Sequence, residues 1–142
     1  FMSNDFEQIS IKPGFMKHNG GVLFKTISED TYQFKTIIKE NHLNAAGITH
    51  GGFIAAFIDA GAGSAAHKSI GNNPCVTISL EIKFISPVLL NQELIGNVKI
   101  QKKTKSMVFI TCELLVENKI IATASGVWKI LKKKLPGVGP GG

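Results

Sequence analysis

From Gly51 to His67 the chain runs for seventeen residues with no proline and no turn cluster, and Ala, Ile and Phe dominate the stretch. It reads as one long, mostly buried helix, with Thr49 as its N-cap. Gly61 and Gly63 lower its helix propensity, and with Ala60, Ala62, Ala65 and Ala66 they let another backbone come very close. A helix of this kind lies against a sheet rather than in water. It is too short to span a bilayer and carries Asp59 near its middle. A mean hydropathy of only +0.15 likewise excludes a polytopic membrane protein.

The strands needed to cover that helix flank it. Val22 to Ile27 and Thr31 to Ile38 form a hairpin around Ser28-Glu29-Asp30, and Gly20-Gly21 signals a turn before it. Residues 40–49 are polar and loop-like. Residues 75–86 alternate, with Val76, Ile78, Leu80, Ile82 and Phe84 on one face and Thr77, Ser79, Glu81 and Lys83 on the other. This is the pattern of a half-exposed antiparallel strand, ended by Ser86-Pro87. Leu94 to Gln101, Met107 to Val116 and Ile120 to Leu131 follow, joined by links short enough for hairpins. The 142 residues, 44% apolar and 18% charged, suit one domain with a real core. The expected class is α+β, an antiparallel sheet of five to six strands curled around one central helix. The domain is expected over 21–134. An extension over 1–20, broken by Pro13-Gly14 and with a short helix as an option, precedes it, and a disordered tail, 135–142, follows. Phe1 ahead of Met2 has the look of an expression scar.

Charge narrows the function. All sixteen basic residues are lysines, and the whole net charge of +6 arises in the second half of the chain. Such a surplus invites an anionic partner. Base readout favours arginine's planar fork and base stacking needs aromatics, so a nucleic-acid partner is not expected. A phosphorylated small molecule suits scattered lysines better. No leader-like segment is seen, and two cysteines make no disulfide framework, so a reduced, cytoplasmic setting is expected. Cys75 and Cys112 fall within strand patterns and read as packing. His18, His42, His50 and His67 share no metal-ligand spacing, so neither a metal nor another cofactor is expected.

Three features can carry chemistry. Asn44-x2-Gly47-x2-His50-Gly51-Gly52 leads into the helix, where glycines leave backbone N–H groups open at the positive end of the dipole. Such an end holds a carboxylate, a phosphate or a developing oxyanion, although the glycines can also serve close packing alone. Asp59 stands among Phe57, Ile58, Ala60 and Ala62 with no lysine three or four residues away. It is either a carboxylate base or nucleophile in an apolar pocket or a solvent-facing residue on one wet stripe. His50 sits where either ring nitrogen can tie down the loop. No G-x-S-x-G elbow supports a serine hydrolase.

The run NAAGITHGGFIAAFIDAGAGSAA resembles the signature of the PaaI-like (phenylacetic-acid-degradation-type) hotdog thioesterases, with an acid nine residues after the histidine of N-x2-G-x2-H-G-G. VTISLEIKFISPV resembles their next strand with its S-P ending, and KKTKSMVFITCEL their following hairpin. The resemblance covers about residues 40–131. It implies the hotdog fold, a helix wrapped by an antiparallel sheet, and hydrolysis of acyl-coenzyme A thioesters. By position it implies that the Gly51 amide polarises the thioester carbonyl and that Asn44 orients the carbonyl or the attacking water. It makes Asp59 the base or nucleophile and Thr77 the residue holding the water or the acid, with His50 beside them. Phe84, Ser86 and Pro87, and Lys102, Lys103, Lys105 and Ser106, match segments that contact coenzyme A.

Gly51 and Asp59 are eight residues apart, about 12 Å along one helix. One carbonyl cannot touch both, so if both act on it they come from two chains. A homodimer with shared sites is therefore expected, and the resemblance adds pairing of dimers into tetramers. Two other readings stand beside this one: a hotdog dehydratase acting on acyl thioesters, and a non-catalytic acyl-CoA-binding protein.

Overall fold

The computed structural model describes residues 5–132. The long apolar stretch is one helix, α2, Gly51–Ser69. Seven antiparallel strands surround it: β1 (Glu7–Gln8), β2 (Leu23–Thr26), β3 (Thr31–Ile37), β4 (Cys75–Phe84), β5 (Glu93–Lys103), β6 (Met107–Val116) and β7 (Lys119–Ile130). They lie in one sheet in the order β1-β2-β3-β5-β6-β7-β4. This is the α+β hotdog arrangement, with one strand more than expected. The extra strand is two-residue β1 in the N-terminal extension, followed after Pro13-Gly14 by the one-turn helix α1, Phe15–His18. Gln8 secures this segment, its Oε1 accepting the Ser10 and Val22 N–H groups at 3.1 Å each. The expected tail, 135–142, lies outside the described residues.

Local chemistry explains the turns. Glu117 and Asn118 both have positive φ, 49° and 66°, the geometry that lets a two-residue turn match the twist of β6 and β7. The core is the apolar side of α2 against the inner face of the sheet, where Phe57 and Ile58 are fully buried. Each such side chain contributes about 1.5–3 kcal/mol. The small residues of α2 do permit a close approach. A Cβ at Gly61 would sit 2.3 Å from the Phe34 ring, and a Cβ at Gly96 of β5 would meet the same ring at 2.3 Å. Phe34 is thus held between helix and sheet by two missing side chains.

Two details differ from the sequence reading. The N-cap of α2 is His50, not Thr49, because the His50 Nδ1 accepts the Gly52 N–H at 2.7 Å. Thr49 is buried instead, and its Oγ1 donates to the Val88 carbonyl at 2.7 Å, tying the loop before α2 to the segment after β4. The alternation along β4 is also broken. Its pairing with β7 shifts between Thr77 and Ser79, so Ile78 is an extra residue in a bulge. Leu80 and Ile82 face the core as expected, but on the other side of the bulge Cys75 packs on the core, Thr77 shares its facing, and Ile78 is 51% exposed. A bulge re-aims side chains in this way.

Candidate active site

The bulge turns Thr77 toward α2, and its Oγ1 donates to the Asp59 Oδ1 at 2.6 Å. Asp59 is therefore not buried in apolar surroundings, the first of the two readings above. In the single chain it is exposed, on the stripe of α2 that also carries half-buried Gly51, Ala55 and Gly63. That stripe is made of small residues, so the carboxylate stands over an open, shallow surface.

The head of α2 offers a different group. The His50 ring occupies the Gly52 N–H, and the Phe53 and Ile54 N–H groups both reach the His50 carbonyl. The Gly51 N–H has no partner among the described residues and remains the open donor at the positive end of the helix. Phe84 borders it, its ring 3.6 Å from the place a Gly51 Cβ would take. Asn44 shapes the approach: its Oδ1 accepts the Ala46 and Ile48 N–H groups at 2.9 and 3.3 Å, which leaves the side-chain NH2 unengaged among the described residues. His50 itself is used as a cap.

These groups fall into two sets at opposite ends of the sheet. Asn44, His50, Gly51 and Phe84 are at the end where α2 starts, with exposed Ser86 and Pro87 just beyond and the Ser86 N–H donating to the Ile121 carbonyl. Asp59, at the middle of α2, and Thr77, near the start of β4, lie farther toward the other end. There Thr77, Trp128, Val108 and Lys103 form one cross-strand row leading to Lys102, Lys105 and Ser106 in and beside the β5–β6 turn. One chain brings Asp59 and Thr77 together, and brings Gly51 and Phe84 together with Asn44 in the loop that leads into α2, but does not join the sets.

Lys103 has a task of its own. Its Nζ donates to the Ser69 carbonyl at 2.8 Å, capping the C-terminal end of α2. Lys102 and Lys105 are exposed without such a tie. Two neighbours of the acid carry no signal in the sequence pattern. Trp128, the register partner of Thr77, is 2% exposed, and its indole Nε1 lies 3.3 Å from where a Gly63 Cβ would be. Cys75 is half-buried; burial, then the Asp59 charge, pushes its thiol up to about 11. Burial pushes the Cys112 thiol up to about 12. Both are protonated at neutral pH, in keeping with packing roles. No cluster of His, Cys, Asp and Glu among the described residues is placed to hold a metal. No helix there is long and apolar enough to cross a membrane.

Two recesses of about 570 and 480 Å3 open on the outer face of the sheet, around Gln33, Asn97, Thr111 and Ser125. Neither reaches Asp59 or Gly51. The chemistry-bearing groups lie instead on the helix side.

The sequence profile of the thioesterase superfamily matches residues 46–122, a stretch that contains His50, Gly51, Asp59, Thr77 and Phe84. The chain belongs to the thioesterase superfamily. Membership supports thioester hydrolysis in general. A Pseudomonas aeruginosa protein with a provisional esterase name is 30% identical over 94 residues, covering 66% of this chain and 70% of the relative. Mouse acyl-coenzyme A thioesterase 13 is 24% identical over 102 residues, covering 72% and 73%. Among solved structures, zebrafish thioesterase superfamily member 2 superimposes with a TM-score of 0.76 at 20% identity, covering 86% of this chain and 90% of its own. A mutant form of the phenylacetic acid degradation protein PaaI of Thermus thermophilus gives 0.70 at 20%, covering 82% and 97%. These structural likenesses speak for the fold and agree with the PaaI-like resemblance.

Proposed function

We propose that this member of the thioesterase superfamily hydrolyses acyl-CoA thioesters to the free acid and coenzyme A, in a site shared by two chains. The observation that carries the reading is the Thr77–Asp59 hydrogen bond on the open stripe of α2. A bulge that turns a hydroxyl onto a helix carboxylate fixes which carboxylate oxygen stays free for water or for the carbonyl carbon. Asp59 acts as base or nucleophile, Thr77 positions it, and the Gly51 N–H of the other chain receives the developing oxyanion. Asn44 orients the carbonyl or the water through its free NH2, and His50 serves by capping the helix that presents Gly51. Phe84, Ser86 and Pro87, at the end where Gly51 lies, contact coenzyme A, and Lys102, Lys105 and Ser106 face its phosphates. Lys103 contributes through the helix end it caps.

The separation of the two residue sets along α2 supports the two-chain arrangement, since a second copy running the opposite way sets one chain's Asp59 beside the other's Gly51. The direct test is Asp59→Asn assayed by thiol release over a panel of aromatic and medium-chain acyl-CoAs. The variant is expected to keep its fold and to lose two or more orders of magnitude in turnover, about the contribution of a base or nucleophile. A variant with wild-type kcat sinks the assignment.

A further inference from the structure

Trp128 is the only tryptophan of the chain, and its position depends on two missing side chains. A Cβ at Gly126, two residues earlier on β7, would sit 2.7 Å from its six-membered ring, and a Cβ at Gly63 of α2 would sit 3.3 Å from Nε1. The indole thus lies between sheet and helix with its nitrogen toward Gly63. Trp128 is 2% exposed, yet its N–H has no hydrogen-bond partner among the described residues. No fully buried side-chain nitrogen or oxygen there lacks a partner, so this nitrogen is among the few Trp128 atoms that touch open space. A buried indole N–H ordinarily finds an acceptor, and one left open beside reactive groups marks where an acceptor atom is to sit.

The surroundings of that nitrogen narrow the choice of acceptor. Gly63 stands four residues after Asp59 on the same stripe of α2, one turn or about 5.4 Å along the axis. Trp128 is the register partner of Thr77, whose hydroxyl holds the Asp59 Oδ1 at 2.6 Å. Cys75 closes the β4 side, its Sγ donating to the Gly63 carbonyl at 4.0 Å. The Asp59 Oδ2 has no partner among the described residues. An acceptor-only oxygen and a donor-only N–H therefore border the gap left by the absent Gly63 side chain. One turn is close to the length of two hydrogen bonds end to end, the span of a single water. On the two-chain arrangement proposed above, the loop ahead of the second copy's α2, where Asn44 stands, comes toward Gly63 and covers the gap.

We infer that the Trp128 indole N–H is a positioning group for hydrolysis, holding the attacking water against the free oxygen of Asp59. The inference rests on the thioesterase reading above and takes Asp59 as the base. The water donates one proton to the Asp59 Oδ2 and accepts from the Nε1–H with one lone pair, which leaves the other lone pair for the acyl carbon. An indole only donates, so it does not compete with the carboxylate for the proton. As the water oxygen bonds to the acyl carbon, Asp59 takes that proton; the C–S bond then breaks, and the proton passes to the leaving thiolate.

The test replaces Trp128 by 3-benzothienylalanine, which keeps the bicyclic shape and puts sulfur where the N–H was. Residues 112–142 are supplied as a synthetic peptide joined at the native Cys112, and the same ligation with tryptophan gives the control. Crystal structures of both full chains and thiol release from octanoyl-CoA are the readouts. The control is expected to show an ordered water within hydrogen-bond distance of both Nε1 and the free Asp59 oxygen, and the isostere to lack it. The isostere should unfold at the same temperature, with KM within twofold and kcat lowered by about 2- to 12-fold, the worth of one neutral hydrogen bond. A structural role alone leaves kcat unmoved by a ring of equal size. A control kcat in the isostere overturns the inference, as does an Nε1–H bonded to a protein carbonyl with no water beside it. A bridging water in a control that cleaves no acyl-CoA sinks the thioesterase reading and leaves the water site standing.

Discussion

Replacing Thr77 with Val removes one hydroxyl from the site and almost nothing else. The two side chains have the same shape, and valine suits a strand at least as well as threonine. What is lost is the 2.6 Å hydrogen bond to the Asp59 Oδ1. Its worth depends on its surroundings. A hydrogen bond open to water contributes about 0.5–1.5 kcal/mol and one to a charged group about 1.5–3 kcal/mol. At about 1.4 kcal/mol for each tenfold in rate, these ranges correspond to about 2- to 12-fold and about 10- to 150-fold in kcat. In the single chain Asp59 and Thr77 are exposed. In a site covered by a second chain they are not, and the larger range applies. The expectation is a kcat lowered more than tenfold, with unchanged thermal unfolding, in a steady-state assay of thiol release. The double variant with Asp59→Asn should lose no more than Asp59→Asn alone, because the threonine acts only through the acid. A wild-type kcat in Thr77→Val, or losses that multiply in the double variant, would refute this reasoning.

Mixing Asn44→Ala with Asp59→Asn and refolding should restore activity toward a ceiling of about one quarter of wild type per chain, since half of randomly paired dimers are mixed and each holds one intact site of two. Failure with mixed dimers shown to be present assigns both residues to one chain's site. Replacing Lys102 and Lys105 by Ala should raise KM for acyl-CoA more than it lowers kcat, less so at high salt, because phosphates bind alike in ground and transition states. An unchanged KM makes the two lysines solvated turn residues. Burial holds the Cys112 thiol up to about 12 against an ordinary value of 9.0, so its contribution to stability is full below pH 9 and is lost as pH rises from there toward 12. Chemical denaturation from pH 8 to 11 should show that decline in the wild type and a shallower one in Cys112→Ala; parallel curves would argue against it.

The helix, the hairpin and all four later strands are legible in the sequence because each rests on a long pattern in the apolar residues. The features that escape it are single-residue decisions. Thr49 and His50 both fit a cap by composition. The loop decides between them by drawing the Thr49 hydroxyl to the Val88 carbonyl, 39 positions away in the chain. The β4 bulge leaves the alternation of 75–86 intact on paper, and only pairing with β7 shows that Ile78 is surplus. Motif position nevertheless points to Thr77, which simple alternation places on the face away from the core. For Asp59 the local signal misleads: its apolar neighbours in sequence suggest burial, but at helical spacing they occupy other sides of the cylinder. Lys103 looks like its neighbours Lys102 and Lys105, and only the nearness of the α2 terminus separates them.

Phe34 has a bearing on how such a chain can change. Its ring fills space that a methyl group on either Gly61 or Gly96 would take. A strand, a helix and a second strand are thereby linked as a single heritable unit. Either glycine can gain a side chain only in a background where Phe34 has already become smaller. The smaller residue alone leaves a void that costs about 3–5 kcal/mol in its harshest form, Phe to Ala. Both first steps run downhill in stability, so drift through this triad is slow. Descendants of the chain are expected to keep all three residues long after the surface around them has diverged.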